Sequence, residues 1–345
     1  MKKVYTDTLP KDYFDNLYGK VSKTLSRGEN VCISVMYGQS NKTLYSFLFR
    51  QITKEKLFNK ILTYDPLLTD ENPVYFTKRA LRGDKKSDVL IILRFFEKIP
   101  NRRTTLDKLK SLQDQNRNRI AFLAIADHSV ILNPLGYTAN TTVFFSDCVY
   151  VPPFNFEQTK KMIKTLRDYY NWKISAHDYR KIYALSGGVG RIIKYICKEL
   201  YISKVLPENI ERLANNQQIL FELNYLTKML IKTPLDKVHV LGLTDNDNKI
   251  KSQLLREYFK NYRSEIIEKI YPNISVVESR ILSSLLEYGG GTISIDKISQ
   301  ISKMSDENFS LWAIYKTVSR LRSKVKKDFK IKSVRGLGYL LVKRG

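Results

Sequence analysis

Apolar residues follow two rhythms along this chain. In the first half, short runs such as VCISVMY, VLIILRFF and RIAFLAIAD are apolar at nearly every position. Between them lie stretches whose apolar residues recur three and four apart. A short run that is apolar on both faces predicts a buried strand, and the 3–4 spacing predicts an amphipathic helix. Strands of that kind alternating with helices predict a parallel sheet covered by helices. KILTYD and CVYVPPF supply two more strands, and Leu106 to Asn116 and Phe156 to Tyr170 two of the helices. Residues 1–29 read as a helical lead-in, with Tyr13, Phe14, Leu17, Tyr18, Val21 and Leu25 on one stripe and Gly28 as the stop.

After Trp172 the rhythm is helical. HDYRKIYALSGG ends on a double glycine and VGRIIKYICKELY follows it. Residues 207–270 hold further helices, interrupted by KVHVLGLTDNDNKIKSQ, where Asp245 to Asn248 form a turn between two short strand-like pieces. Pro272 marks a boundary. Beyond it, a helix carries Ile314, Val318, Leu321 and Val325 on one face and Lys316, Arg320, Arg322, Lys324, Lys326 and Lys327 elsewhere. Two strand patterns, Ile331 to Val334 and Tyr339 to Val342, are joined by Arg335-Gly336-Leu337-Gly338, whose glycines permit positive φ in a tight hairpin. A basic helix followed by a basic-tipped hairpin is the form of a winged helix bound to duplex DNA. In that form Lys316, Thr317 and Ser319 read base edges. Arg320 and Arg322 flank the buried Leu321, so at least one serves phosphate, and Arg335 enters or borders the minor groove. Lys324, Lys326, Gly336 and Gly338 complete the expected DNA-binding set.

Charge agrees with a polyanionic partner. The 345 residues carry 59 Lys and Arg against 34 Asp and Glu, a formal net charge of +25. The excess is clustered: Ile314 to Gly345 holds eleven basic residues and only Asp328 to oppose them. No apolar run approaches the ~18 residues that span a bilayer, so no membrane partner is expected. Lys2-Lys3 leads into polar TDTLPKDYFDN rather than a signal peptide, which predicts a cytoplasmic protein. Cys32, Cys148 and Cys197 lie in apolar contexts and read as buried free thiols. His128, His177 and His239 share no ligand spacing, so no metal site is expected. Asp127-His128 has no nucleophile motif beside it and is set aside as a catalytic pair.

One loop carries candidate nucleotide chemistry. Buried strand, Gly38 loop, Lys42-Thr43 and apolar helix follow the order of a P-loop, in which backbone amides wrap phosphate and the hydroxyl meets Mg²⁺. Asn41 and Met36 stand where the motif has glycine. After VLIIL, Arg94 and Phe95 stand where a metal-binding acidic pair belongs, with Glu97 beyond the strand end. The losses predict a module without ATP hydrolysis, hence no enzyme, with ATP and Mg²⁺ as possible ligands.

The coupled pair V-x-R-L-R-x-K-V and V-R-G-x-G-Y gives residues from about Ile274 onward a resemblance to the OmpR/PhoB-type winged-helix domain of bacterial transcription regulators. SVVESRILSSLLEYGGGTIS is similar to that family's opening helix, IDKISQIS to its second and SLWAIYKTVSRLRSKVKK to its recognition helix. Residues 10–265 resemble the STAND/AAA+ ATPases of the archaeal-ATPase and Orc-like branch. FLAIADH, VYVPPFNFEQTKKMI, ALSGGVGRIIKYI and KVHVLGLTDNDNKIKSQLLREYF follow in that family's order. That likeness implies phosphate contacts for Lys42 and Thr43 and a γ-phosphate contact for Arg191. The two resemblances imply an α/β P-loop NTPase-like parallel sheet followed by a helical lid and winged-helix domains. The divisions would be 1–172, a lid at 173–205, an intermediate winged-helix-like region at 206–271 and the DNA-binding domain at 272–345. The implied function is a sequence-specific transcriptional regulator with double-stranded DNA, RNA polymerase and a homo-oligomer as partners. Two other readings stay open, a nucleotide-switched STAND regulator and an Orc-like replication or partition protein.

Overall fold

The computed structural model describes Asp12, Phe14 and residues 17–82, 88–116, 119–204, 210–214, 216–233, 235–247, 249–288, 290–304 and 310–343. Tyr13, expected on the lead-in stripe, lies outside them. The chain divides into two units, residues 1–183 with 188–206, and residues 184–187 with 207–345.

In the first unit α1 (Leu17–Ser26) leads to β1 (Val31–Val35), α2 (Asn41–Lys54), β2 (Lys60–Tyr64), α3 (Pro73–Leu81) and β3 (Val89–Arg94). α4 (Arg102–Gln115), β4 (Ile120–Asp127), the single turn α5 (Ser129–Leu132), β5 (Asp147–Val151) and α6 (Phe156–Tyr170) follow. α7 (Tyr179–Ser186) and α8 (Gly190–Ser203) come next, the last residues of α7 falling in the second unit. The strands form one parallel sheet in the order β2-β3-β4-β1-β5. The central strands are those whose runs are apolar on both faces: every residue of β1 is buried, as are all of β3 and β4 except their last. The edges are the strands with polar residues, β2 beginning on Lys60 and β5 on Asp147. Cys148 lies on that edge and is exposed, a correction to the expected buried thiol, whereas Cys32 and Cys197 are buried. The order brings β1 beside β4, and the connections from these two strands leave in opposite directions. Ligand crevices of open parallel sheets form outside the carboxyl ends at such a place.

The second unit contains α9 (Ile210–Ala214), α10 (Gln217–Lys232), α11 (Leu235–Val238), α12 (Gln253–Ile270), α13 (Val276–Glu287), β6 (Thr292–Ile293) and α14 (Ile295–Ile301). It ends with α15 (Leu311–Val325), β7 (Phe329–Val334) and β8 (Gly338–Lys343). The strands make a three-stranded antiparallel sheet, β6-β8-β7. α13 starts at a reciprocal cap, Ser275 with Glu278, and buries Ile281, Leu282 and Leu285. Its core is continuous with α10 and α12: Ile231, Ile266 and Ile267 join Leu282, Val318, Phe329 and Leu341 in one cluster. The two strand-like pieces expected around Asp245 reduce to a single bridge between Thr244 and Ile250. The reason is local, since Asp245 Oδ1 accepts from the amides of Asp247 (3.0 Å) and Lys249 (2.9 Å) and tightens the turn. No helix among the described residues is long and apolar enough to cross a membrane.

Candidate nucleic-acid interface and nucleotide loop

Ser310 caps α15 by accepting the Ala313 amide, and the helix buries Ile314, Val318, Leu321 and Val325, the stripe that its spacing dictates. Away from that stripe Lys316, Ser319, Arg320 and Lys326 are exposed. Thr317 is half-buried and donates its hydroxyl proton to the Ala313 carbonyl (2.9 Å), so that its oxygen is left as an acceptor. Two of the expected DNA contacts are engaged inside the protein. Arg322 donates from Nε to the Ile331 carbonyl (3.0 Å) and from Nη2 to Ser333 Oγ (2.6 Å), tying the helix to the hairpin. Lys324 Nζ donates to Glu278 Oε2 at 2.7 Å, and Arg320 Nε stands 4.0 Å from the other carboxylate oxygen. Burial works to raise the Glu278 pKa, but hydrogen bonds from Lys324 and Ser275 outweigh it and hold it below its ordinary value.

Arg335, Gly336 and Leu337 form the exposed hairpin tip, closed by a hydrogen bond from the Leu337 amide to the Val334 carbonyl (3.0 Å). Gly336 has φ +72° and Gly338 φ +134°. The buried Gly338 lies so close to β6 that a Cβ there would sit 1.9 Å from the Ile293 carbonyl oxygen. The structure adds two residues that the sequence reading did not single out. Trp312 (67% exposed) and Tyr315 (49%) stand off the buried stripe near the start of α15, and Lys316 Nζ lies 4.7 Å from the Trp312 ring centroid. Their offset from Ile314 was the signal available in the sequence.

In the first unit the loop after β1 carries Gly38 (φ +84°), and Asn41 is the first residue of α2. Ser40 caps α2: its Oγ accepts from the Thr43 amide (3.3 Å) and from Thr43 Oγ1 (2.8 Å). A phosphate at this helix end would take the place of the Ser40 hydroxyl and meet the Lys42 ammonium. Arg191, at the start of α8, donates its amide to the Gly38 carbonyl (2.8 Å) and lays its guanidinium over Tyr37, 5.1 Å from the ring centroid. The buried Gln39 donates to the Gly188 carbonyl (2.9 Å), while its Oε1 is buried without a hydrogen bond. Gly38, Asn41, Lys42, Thr43 and Arg191 thus share one neighbourhood. Beside them a cavity of about 210 Å³ is lined by Gln39, Thr43, Phe154, Arg191 and Tyr195. It falls short of the ~300 Å³ at which ordinary ligand pockets begin, so a nucleotide would extend out of it.

At the carboxyl ends of the neighbouring strands, Arg94 pairs with Asp65 (2.9 Å) and packs over Tyr45 of α2 and over Phe95. Phe95 itself adopts a left-handed conformation (φ 47°, ψ 47°). Glu97 Oε2 accepts the Asp127 amide (3.1 Å), and burial first, then the Asp127 charge, raises the Glu97 pKa. Asp127 Oδ1 accepts the Ser129 amide (2.9 Å) and the Ser129 hydroxyl, which also meets Tyr137 Oη. Burial lowers the pKa of His128 and favours its neutral form. Among the described residues no three of His, Cys, Asp and Glu are grouped to hold a metal ion. A magnesium ion here would depend on nucleotide oxygens, water and the Thr43 hydroxyl.

No family model and no curated protein matches the chain. Solved structures do. The Thermotoga maritima RuvB Holliday junction branch migration motor is 12% identical over 97% of this chain and 93% of that one, with a TM-score of 0.43. The Aeropyrum pernix ORC1 protein in complex with DNA is 12% identical over 99% and 93%, TM-score 0.40. The Aeropyrum pernix ORC2 protein, in ADPNP-ADP complexes, is 13% identical over 93% and 91%, TM-score 0.42. The first unit is an α/β fold, a five-stranded parallel sheet with helices between its strands. The expectation that the chain is not an enzyme is corrected on this point, since the similar structures include a motor and a nucleotide-bound protein.

Proposed function

We propose that the chain is a duplex-DNA-binding ATPase of the Orc-like kind, with a winged helix as its C-terminal reader and nucleotide bound at the start of α2. The observation that carries the reading is the exposed basic surface of α15 together with the Arg335 hairpin tip. In this reading α15 lies in the major groove, with Lys316, Thr317 and Ser319 facing base edges and Trp312 and Tyr315 presenting apolar surface to thymine methyls. Arg320 and Lys326 neutralise phosphate, and Arg335 reaches the minor groove. Arg322 and Lys324 hold the reader in shape. In the first unit Lys42 and Thr43 meet the terminal phosphates, and Arg191 stands where it can follow them.

Two measurements on full-length protein test this. Fluorescence anisotropy should show duplex binding that weakens with salt, and no binding at low salt would end the DNA reading. ATP binding and turnover should both fall at least about tenfold in Lys42→Ala, the loss of a charged phosphate contact. Turnover unaffected by that substitution would remove the α2 site from the proposal. The helix–hairpin motif favours a second reading, a transcription regulator that contacts RNA polymerase. A genome-wide binding map separates the two, by occupancy at replication origins or at promoters.

A further inference from the structure

A second cavity lies wholly within the second unit and is distinct from the α2 loop. It measures about 680 Å³, within the ~300–1,000 Å³ range of small-molecule sites. α11, the Thr244–Ile250 turn, α12, the end of α13 and the last residues of β8 enclose it. Leu230, Val238, Ile250, Phe259 and Leu286 give it apolar walls.

The polar groups on this wall are unbalanced. Lys249, Arg256, Lys260, Arg263 and Lys343 bring five cations, and Glu287 is the single carboxylate among the lining residues. Arg263 is 4% exposed. Its Nε donates to Ser283 Oγ (2.8 Å) and its Nη2 to Glu287 (3.0 Å), and its guanidinium packs on the Phe259 ring, 4.7 Å from the centroid. Glu287 is more than half exposed, so water screens the charge that would offset the buried guanidinium. Arg256 donates to the Ile250 carbonyl, a neutral acceptor that brings no opposing charge, and Lys343 donates to the carbonyls of Leu230 and Thr233. The Thr244 hydroxyl, in a residue 8% exposed, lines the same space and has no hydrogen-bond partner. A buried polar atom of that kind costs free energy until something satisfies it.

We infer that this cavity is a binding site for a small organic anion, a phosphate-, sulfonate- or carboxylate-bearing molecule with an apolar ring body. The body lies against Phe259 and Leu286, the anionic group faces Arg263, Arg256 and Lys260, and an acceptor on the ligand meets Thr244. The occupant would bridge α12 and the last residues of β8, so its binding would be felt by the strand that carries the hairpin.

The test uses full-length protein and 1-anilinonaphthalene-8-sulfonate as the probe. N-phenyl-1-naphthylamine, with the same rings and no sulfonate, is the neutral control, and inorganic sulfate is the control without the rings. Fluorescence titration should give one sulfonate site. The double variant Arg256→Gln/Lys260→Gln, in which both positions are exposed, should weaken it about tenfold while leaving the neutral amine unaffected, because charged hydrogen bonds are lost. Circular dichroism verifies that the variant is folded. Unchanged sulfonate affinity in the variant would overturn the inference. So would an equal loss for the neutral amine, or displacement by sulfate at the probe's own concentration.

Discussion

Glu278 shows how one side chain can serve a cap, a charge pair and a pH response together. It is 2% exposed, accepts the Ser275 amide at 2.7 Å and receives Lys324 from α15 at 2.7 Å. Its folded pKa lies below the ordinary 4.5, so the stability that it contributes is present above that value and is lost as pH falls through the folded value. Lys324→Ala should destabilise the second unit by ~1–3 kcal/mol, because a buried carboxylate loses its charged donor. The difference between wild type and variant, followed by urea unfolding, should be full at pH 7 and shrink below the ordinary value. A pH-independent difference would mean that Lys324 acts only through packing of its stem. Arg322 belongs to the same class, despite its place in a basic run. Arg322→Ala should lower the melting temperature, whereas Arg335→Ala should leave it unchanged and weaken duplex binding by ~1–2 kcal/mol, chiefly on A·T-rich flanks. Comparable melting losses in both variants would remove the division between structural and reading arginines.

The hairpin separates two glycines that look alike in sequence. Gly336 is exposed, and nothing lies within 4 Å of the position that its Cβ would take. Gly336→Ala should therefore cost only the strain of a positive φ, ~1 kcal/mol. Gly338 combines φ +134° with a backbone oxygen 1.9 Å from the same position, so Gly338→Ala should force β8 away from β6. Hydrogen exchange would show this as faster exchange at Ile293, Tyr339 and Leu340, and equal protection in the two variants would contradict the register. At this scale much was legible in advance. The 3–4 spacing fixed the buried face of α15, the fully apolar runs located the three central strands, and the mixed runs KILTYD and CVYVPPF located the two edge strands. The strand order was not legible, because apolar runs of equal length carry no mark of their neighbours. Nor was the engagement of Arg322: its partners lie nine and eleven residues on and meet it only when β7 folds back. The 680 Å³ cavity was hidden for a similar reason, since it depends on the α11–α12 connection and the end of β8 meeting at one place.

For the whole molecule, the formal charge of +25 gives electrostatic attraction the largest share in any encounter with a polyanion. Charge alone would predict indiscriminate binding with no fixed site size. The distribution argues for a defined footprint instead, because Lys316, Arg320, Lys326 and Arg335 converge on one helix and one turn while Arg322 and Lys324 are held inside. If about 4–6 phosphates are neutralised, log K against log salt should fall with a slope of about −4 to −5. Arg320→Ala should reduce that slope by about 1 across all duplex sequences, as loss of one phosphate contact requires. Ser319→Ala carries no charge change and should leave the slope intact while altering the preferred sequence. Lys42→Ala removes a cation from the first unit, so it should reduce ATP binding without changing the slope measured in the absence of nucleotide. A slope that falls equally for Lys42→Ala and Arg320→Ala would mean that DNA contacts the first unit as well. The footprint would then have to be enlarged beyond α15 and its hairpin.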